Sequence, residues 1–505
     1  MQLKATYYDI DSSEPTVLLH EDDCATLGVR EGDRVRVRGE SAAVAIVSVS
    51  DTVAVRGEAL LPQSVLDLAR VQPGDVVDVA VSHSPESVRS VRAKMEGARL
   101  TDGQIAELVD DVVAGRLSRI EIAAWLTALY INGMDTGEIA AYAEAMAETG
   151  DRIQFDGRRV FDFHSFGGLP GNKITPIVVS IVAAAGLTMP KLSSRAISSA
   201  CGTADFVETF CRVDLDTDEV RRVSAEVGGV FSWTGATDLG PAGDLFITVQ
   251  RPLGIDPRPQ LLASIMSKKV AAGATDLVMD IPMGTESKVP TLEEARSYAR
   301  DLMDLGERLG IRVECAITYA EQPLGEAVGP MLEARECMEV LEGCPCHGDV
   351  ADKACICAGM VLEMAGIPYG QERAREILAS GEAHEAFRRI VEAQGGDPDV
   401  RSSDMAPGRF STDILAERSG FVRGISNRAV VAVAKAAGAP SDKGAGLVLG
   451  RKCGMKVVEG DVLLTIFADR EDKLEHAVQV ALELEPVDVD GMMIGRVGQG
   501  NPLID

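Results

Sequence analysis

Val160-Phe-Asp-Phe-His-Ser-Phe-Gly-Gly-Leu-Pro-Gly-Asn-Lys-Ile-Thr175 is the stretch on which the reading of this chain turns. It opens on an apolar run that suits a buried strand, bends through Gly167, Gly168 and Gly171, and enters the largely apolar segment Ile174 to Leu187. Strand, glycine turn and helix start in that order let backbone N–H groups converge beside a helix N-terminus, where an anion fits. Ser165, Lys173 and Thr175 would add side-chain donors. The same loop also reads as a plain tight turn, because glycine punctuates loops of every kind.

Outward from this stretch, strand-like and helical runs alternate from about Arg159 to Arg409. Val160-Phe-Asp-Phe, Leu277-Val-Met-Asp-Ile and Ala316-Ile-Thr read as buried strands, and Leu292 to Leu309 and Val350 to Ala365 as helices. Alternation of this kind predicts a mostly parallel sheet covered by helices. Before it, Val88 to Gly150 is helical: Ile105, Leu108, Val109, Val112 and Val113 recur at three- and four-residue spacing, with Thr101 as N-cap. Residues 1 to about 85 read as short strands. There Leu27-Gly-Val-Arg-Glu-Gly-Asp-Arg-Val-Arg-Val is echoed by Ala69-Arg-Val-Gln-Pro-Gly-Asp-Val-Val-Asp-Val, which predicts a small barrel of two similar halves. After Ser411, a small-residue helix over Asn427 to Ala437 and a hairpin-containing β segment over Val457 to Phe467 predict an α+β domain.

The chain has 505 residues, with 78 Asp+Glu against 50 Lys+Arg and a formal net charge of -28. So acidic a surface repels nucleic acid and anionic membrane, and neither is expected as a partner. The apolar stretch Ile174 to Leu187 is interrupted by Thr175, Pro176 and Ser180 and is too short to span a bilayer. No basic start followed by an apolar run marks the N-terminus, and ten cysteines are too few for a disulfide scaffold. The expectation is a soluble, cytoplasmic protein.

Two further segments gather polar groups. Ser193-Ser-Arg-Ala-Ile-Ser-Ser-Ala-Cys-Gly-Thr203-Ala-Asp-Phe-Val-Glu208 collects five hydroxyls and an arginine within eleven residues and ends in a Gly-Thr helix cap, as an oxyanion or sugar site would. Pro252-Leu-Gly-Ile-Asp256 precedes a run in which Ser264 and Lys268 share one helical face. Asp256 equally suits a helix N-cap, and Lys268 a solvated charge. Cys344, Cys346, His347, Cys355 and Cys357 crowd fourteen residues, but the last two sit two apart in a helical run and face different ways. Buried free thiols are expected, no metal is assigned, and Cys344 and Cys346 keep a redox role open. Cys201 is read as a packing residue.

These segments, with Arg92-Ala-Lys-Met-Glu-Gly97, Gly329-Pro-Met-Leu-Glu-Ala-Arg335 and Ala437-Gly-Ala-Pro-Ser-Asp-Lys-Gly-Ala-Gly446, resemble the type II nucleoside phosphorylases, the thymidine and pyrimidine-nucleoside phosphorylase family. The N-terminal extension makes the chain look most like that family's archaeal nucleotide-cleaving branch, the AMP phosphorylases. The resemblance implies a multidomain α/β fold. Its parts would be an N-terminal double-psi-like β-barrel (1–85), a discontinuous helical domain (86–157 and 241–272), a mixed α/β domain (158–240 and 273–410) and a C-terminal α+β domain (411–505). It implies phosphorolysis of a nucleoside 5′-monophosphate by inorganic phosphate to free base and ribose 1,5-bisphosphate, without a cofactor, by a homodimer or larger homo-oligomer. Asp256 would be the general acid, its pKa raised by partial burial. Gly168, Ser194, Arg195, Ala196, Ile197, Ser198, Ser199, Thr203, Ser264 and Lys288 would bind substrate, joined by His164, Ser165, Ser193 and Lys268. The family usually carries lysine where this chain has Phe163, at a position that reaches phosphate. Either Lys173 or Arg195 replaces it, or the substrate differs, or activity is reduced. A pyrimidine-nucleoside or thymidine phosphorylase and a non-catalytic nucleotide-binding paralogue are the alternatives.

Overall fold

The computed structural model describes residues 1–9, 14–155, 157–196, 199–237 and 239–491. The chain divides into two compact units, Met1–Gly150 with Gly240–Lys268, and Asp151–Leu239 with Lys269–Asp505.

In the first unit, β1 (Gln2–Tyr7), β2 (Thr16–Leu19), β3 (Arg34–Arg38), β4 (Ala42–Val49), β5 (Glu58–Leu61) and β6 (Val76–Val81) close into a barrel in the order β1-β5-β2-β4-β3-β6. The sequence echo has a physical counterpart. Each copy holds, before its strand, a Gly-Asp turn whose carboxylate accepts a backbone N–H three residues back: Arg30 to Asp33 at 2.7 Å and Gln72 to Asp75 at 2.9 Å. The strands that follow, β3 and β6, pair antiparallel. Period-two burial fills the barrel with Leu3, Ala5, Val35, Val37, Val77 and Val79.

Helices Asp102–Val113, Arg119–Asn132 and Thr136–Glu148 follow, each opened by a reciprocal capping box: Thr101 with Gln104, Ser118 with Glu121, Asp135 with Glu138. Ile105, Leu108, Val109 and Val112 are buried as the periodicity predicts, but Val113, the last helical residue, is exposed. Helices Pro241–Leu253 and the start of Arg258–Ala271 complete this unit. Tyr142, fully buried, accepts from Trp125 Nε1 at 3.2 Å, donates to Gln260 and packs edge-on against Phe246.

In the second unit the expected strands appear as β7 (Phe161–Ser165), β10 (Asp276–Met283) and β11 (Arg312–Tyr319), all parallel in the order β11-β10-β7. Two more, β8 (Met189–Ser193) and β9 (Gly229–Trp233), form a separate parallel pair. Helices Thr175–Ala184, Gly348–Met364 and Glu382–Ala393 supply the apolar cover, with Ile177, Ile181, Val361, Phe387 and Ile390 in one core. Beyond it, helices Asn427–Ala436 and Glu471–Leu484 pack with two small antiparallel sheets. One of these sheets takes in Ala327–Val328, which pairs with Gly446–Leu449. The expected hairpin over Val457 to Phe467 does not form. Lys456–Val457 is too short to pair along Val462–Ala468 and joins Gly420–Ile425 instead, in the other sheet.

Candidate active site

β7 carries the first cluster. Its side chains alternate, so Asp162 and Phe163 point opposite ways. Phe163 is buried in the apolar core, whereas Asp162 is held between Lys269 Nζ at 2.6 Å and Lys191 Nζ at 3.5 Å. Lys191 also donates to the Phe163 carbonyl at 2.6 Å. Burial first, and then the Lys269 charge, pull its pKa down to about 8 against the opposing pull of Asp162. At the C-terminal end of β7, Ser165 Oγ donates to Asp280 at 2.8 Å, and Asn172 reaches both Ser165 at 3.0 Å and Asp280 at 3.3 Å. Thr318 donates to the same carboxylate, and Lys353 Nζ lies 2.9 Å from it. One fully buried carboxylate therefore pins both ends of the glycine loop.

Gly167 and Gly168 adopt positive φ, +80° and +82°. At Gly168 the reason is close approach as well: a Cβ there would stand 2.9 Å from the Lys288 backbone N. Lys288, remote in sequence and exposed, is thus brought to the loop. His164 is half-buried at the same strand end.

Lys173 is elsewhere. It is fully buried and gives its three N–H groups to the carbonyls of Leu324 (3.1 Å) and Ala327 (2.9 Å) and to Glu336 at 2.7 Å. Its ammonium is saturated, so it cannot stand in for the lysine that Phe163 replaces. Thr175, the first residue of its helix, is buried as well.

The second cluster leaves the C-terminal end of β8, which runs beside β7: Phe161 N–H donates to Thr188 O at 2.9 Å. Carboxyl ends of neighbouring parallel strands are where α/β sheets place ligands. The loop after Ser193 winds around Asp205, in the five-residue helix Thr203–Val207. That carboxylate accepts from Ala196 N at 2.7 Å and Gly202 N at 2.9 Å, and lies 3.4 Å from Arg195. Arg195 commits its fork to Glu208, at 2.6 and 2.8 Å, and its face to the Trp233 ring, 4.8 Å from the centroid. Lys443 closes the cluster, 2.8 Å from Glu208 and 3.0 Å from Asp205 O. The Arg195 hydrogen bond, chiefly, holds the Glu208 carboxyl down at about 2. Arg195 is therefore a brace of the loop, not a replacement for the missing lysine. Ser193 Oγ is buried without a hydrogen-bond partner, and Ser199 donates to Cys201 O at 3.0 Å. Ser194 is exposed and Thr203 half-buried. Ile197 and Ser198 lie outside the described residues. Cys201 donates to Gly202 O at 3.4 Å, and burial, reinforced by the Glu333 charge, raises its pKa well above the ordinary thiol value. A thiol so placed is no nucleophile.

The third set belongs to the other unit. Ser264 and Lys268 do share a face: both pack over Gly243, where a Cβ would stand 3.5 Å from Ser264 Oγ and 4.0 Å from Lys268 Cε. Lys268 pairs with Asp244 at 3.6 Å. Asp256 sits in the turn between helices Pro241–Leu253 and Arg258–Ala271, accepting from Gln250 Nε2 at 2.9 Å. Its side chain is exposed, not partly buried as expected: it lies outside both helices, held by Gln250.

Sequence reasoning passed over Asp205, Asp280, Lys353, Lys191 and Lys443. A signal existed for Asp162 and Asp280: each is a carboxylate flanked by apolar residues within a strand, which is too costly to bury without a cationic or hydrogen-bonding partner. The cysteine reading also needs correction in part. Cys355 and Cys357 are buried free thiols, the first pushed up to about 11 by burial, but Cys344 and Cys346 form a disulfide.

Residues 88–150 match the helical bundle domain of a glycosyl transferase family, residues 157–384 its a/b domain, and residues 421–485 the pyrimidine nucleoside phosphorylase C-terminal domain. The AMP phosphorylase of Thermococcus kodakarensis is 46% identical over 99% of this chain and 100% of its own length. That of Methanocaldococcus jannaschii is 45% identical over 98% of this chain and 99% of its own. Among solved structures, anthranilate phosphoribosyltransferase from Thermus thermophilus is similar at a TM-score of 0.52 and 25% identity, covering 61% of this chain and 99% of that one.

Proposed function

The chain belongs to the AMP phosphorylase family, its reaction is phosphorolysis of AMP, and we propose that the products are free base and ribose 1,5-bisphosphate. As a pentosyltransferase it joins the ribosyl carbon to phosphate and releases the base.

The observation that carries the site assignment is the loop from Ser193 to Thr203, wound around buried Asp205 with the Ser193 hydroxyl left unpartnered. Two dianions held side by side repel one another, and hydroxyls, amide N–H groups and a few cations offset that without a metal. Ser193, Ser194, Ala196, Ser199 and Thr203, with Ile197 and Ser198, hold one phosphate group of the pair. Gly168, His164 and Ser165 hold the other, and Lys288, whose backbone abuts Gly168, is the cation there. That assignment gives the phosphate a charge partner although Phe163 faces the core and Lys173 and Arg195 are committed elsewhere. Ser165 spends its own proton on Asp280, so it serves phosphate through the backbone it positions.

As the C1′–N bond breaks, the sugar gains positive character and the incoming phosphate stabilises it before bonding to it. Asp256 delivers a proton to the departing base, and Ser264 and Lys268 contact the nucleotide. Asp256 is exposed, so the acid role requires that water be excluded around it when nucleotide is held. Bulk water there would also compete with phosphate and give hydrolysis. We assign the chain a cytoplasmic, homo-oligomeric state. No helix among the described residues is long and apolar enough to cross a membrane.

Initial rates with AMP, CMP, UMP, GMP and uridine, each with phosphate, test this reading. A nucleotide preference is expected. Faster turnover of uridine would transfer the chain to the nucleoside phosphorylases. Thermal stabilisation by nucleotide with no base released would make it a binding protein.

A further inference from the structure

The turn Glu342–His347, between helices Pro330–Leu341 and Gly348–Met364, holds chemistry that phosphorolysis does not use. Cys344 and Cys346 flank Pro345, with Cα atoms 5.4 Å apart, and form a disulfide. The Cys344 N–H donates to Glu339 O at 2.9 Å, and the Cys346 N–H points to Cys344 Sγ at 3.4 Å, so the turn's backbone directs both sulfurs to one side. The two sulfurs and an imidazole nitrogen of His347 lie within 4.8 Å of one another.

His347 is only 8% exposed, and its ring is held from one end. Nε2 lies 2.7 Å from Glu339. Nδ1 is buried and without a hydrogen bond: Glu336 is 3.1 Å away but out of line. The Glu336 oxygens are already taken by Lys173 and by the N–H groups of Glu326 and Ala327. Against burial, which lowers it, Glu336 and then Glu339 raise the pKa of His347 to about 9. A cation therefore binds by displacing the Nδ1 proton while Nε2–H stays on a carboxylate, the arrangement found where imidazole binds zinc. The two carboxylates beside the ring favour a cation.

We propose that Cys344, Cys346 and His347 form a three-ligand site for a thiophilic divalent cation of the zinc class, available when the disulfide is reduced and closed when it is formed. The couple balances simply. A dithiol reductant supplies two electrons and two protons, the Sγ–Sγ bond breaks, and the reductant closes into its own disulfide. The cation then displaces both thiol protons and the Nδ1 proton of His347 to solvent and binds two thiolates and Nδ1. Tetrahedral zinc with sulfurs at about 2.3 Å needs them about 3.7 Å apart, which side-chain rotation alone provides on this backbone spacing. The fourth position, on the side of exposed Cys346, is left to water. Cys355 and Cys357 take no part, since both are buried within their helix.

The test uses full-length protein reduced with a dithiol, freed of reductant without air and titrated with zinc against a chromophoric chelator, then with cobalt followed in the near ultraviolet. Reduced wild type should bind one more zinc per chain than C344S/C346S and show thiolate-to-cobalt charge transfer. His347→Gln should weaken binding tenfold or more, and reoxidised wild type should lose the site. Equal zinc stoichiometry in reduced wild type and the double variant, no charge-transfer band, or full binding by the oxidised protein would each overturn the proposal. Comparing reduced with oxidised wild type involves one sequence, so the outcome stands even if a variant folds poorly.

Discussion

Replacing Asp205 with alanine probes the loop on which the site assignment rests. The carboxylate accepts two main-chain hydrogen bonds, from Ala196 at 2.7 Å and Gly202 at 2.9 Å, and its Arg195 contact is long at 3.4 Å. A hydrogen bond to a charged group contributes about 1.5–3 kcal/mol net. Ala196 and Gly202 are half-buried, so water can reach their amides in the variant, which puts each loss at the lower end and the sum near about 3 kcal/mol. The Arg195 loss is small because Glu208 still holds the guanidinium. At about 2 °C per kcal/mol for a domain of this size, Asp205→Ala should melt about 6 °C lower. Asp205→Asn keeps one acceptor oxygen without its charge and should lose about half of that. In a steady-state assay of base release, the freed loop should raise KM for AMP at least tenfold, equivalent to about 1.4 kcal/mol of binding. An Asp205→Ala protein that melts lower yet keeps the wild-type KM and kcat would show that the loop is structural and refute the assignment. An unchanged melting temperature would refute the hydrogen-bond reasoning itself.

Other perturbations separate the remaining parts. Gly168→Ala places a Cβ 2.9 Å from Lys288 N at a φ of +82°, so Lys288 must move, and KM for phosphate should rise tenfold or more; an unchanged value would exclude both residues from the phosphate site. Asp256→Asn should lower kcat by about a hundredfold or more with nucleotide affinity nearly intact, whereas near-normal turnover would remove Asp256 from the mechanism. Burial, countered by Lys173 and reinforced by Glu336 and Asp205, raises Glu333 from 4.5 to about 7. Between those values the folded chain keeps a proton that the unfolded chain has released, so stability falls as pH rises from 4.5 to about 7 and then levels. The loss is of the order of 3 kcal/mol. Glu333→Gln should abolish that slope in pH-dependent denaturation, and a slope that persists would place its origin elsewhere.

The large features were legible because they are local. Gly-Asp turns mark β3 and β6, the Thr101 cap marks helix Asp102–Val113, and apolar runs mark β7, β10 and β11. The Ser193–Thr203 cluster of hydroxyls was equally visible, since it lies within one short segment. What escaped depends on distant partners. Lys173 reads as a loop donor until Glu336, 163 residues on, is seen to hold it. Arg195 reads as an anion ligand until Glu208 and Trp233 take its fork and its face. Asp280 could be flagged as a buried charge, but not as the residue that pins Ser165 and Asn172. The exposure of Asp256 depends on what packs over its turn, which spacing along the chain does not encode. Cys344 and Cys346 form a bridge across one proline, a pairing that turn geometry decides and residue counts do not.

Phosphorus NMR of the protein incubated with AMP and inorganic phosphate tests the central claim most directly. The account predicts that the AMP and phosphate resonances decline together while two equal new signals grow, those of a sugar carrying phosphate at both C1 and C5, with adenine accumulating in step. A single new sugar-phosphate signal with inorganic phosphate undiminished would mean hydrolysis, and it would contradict the account.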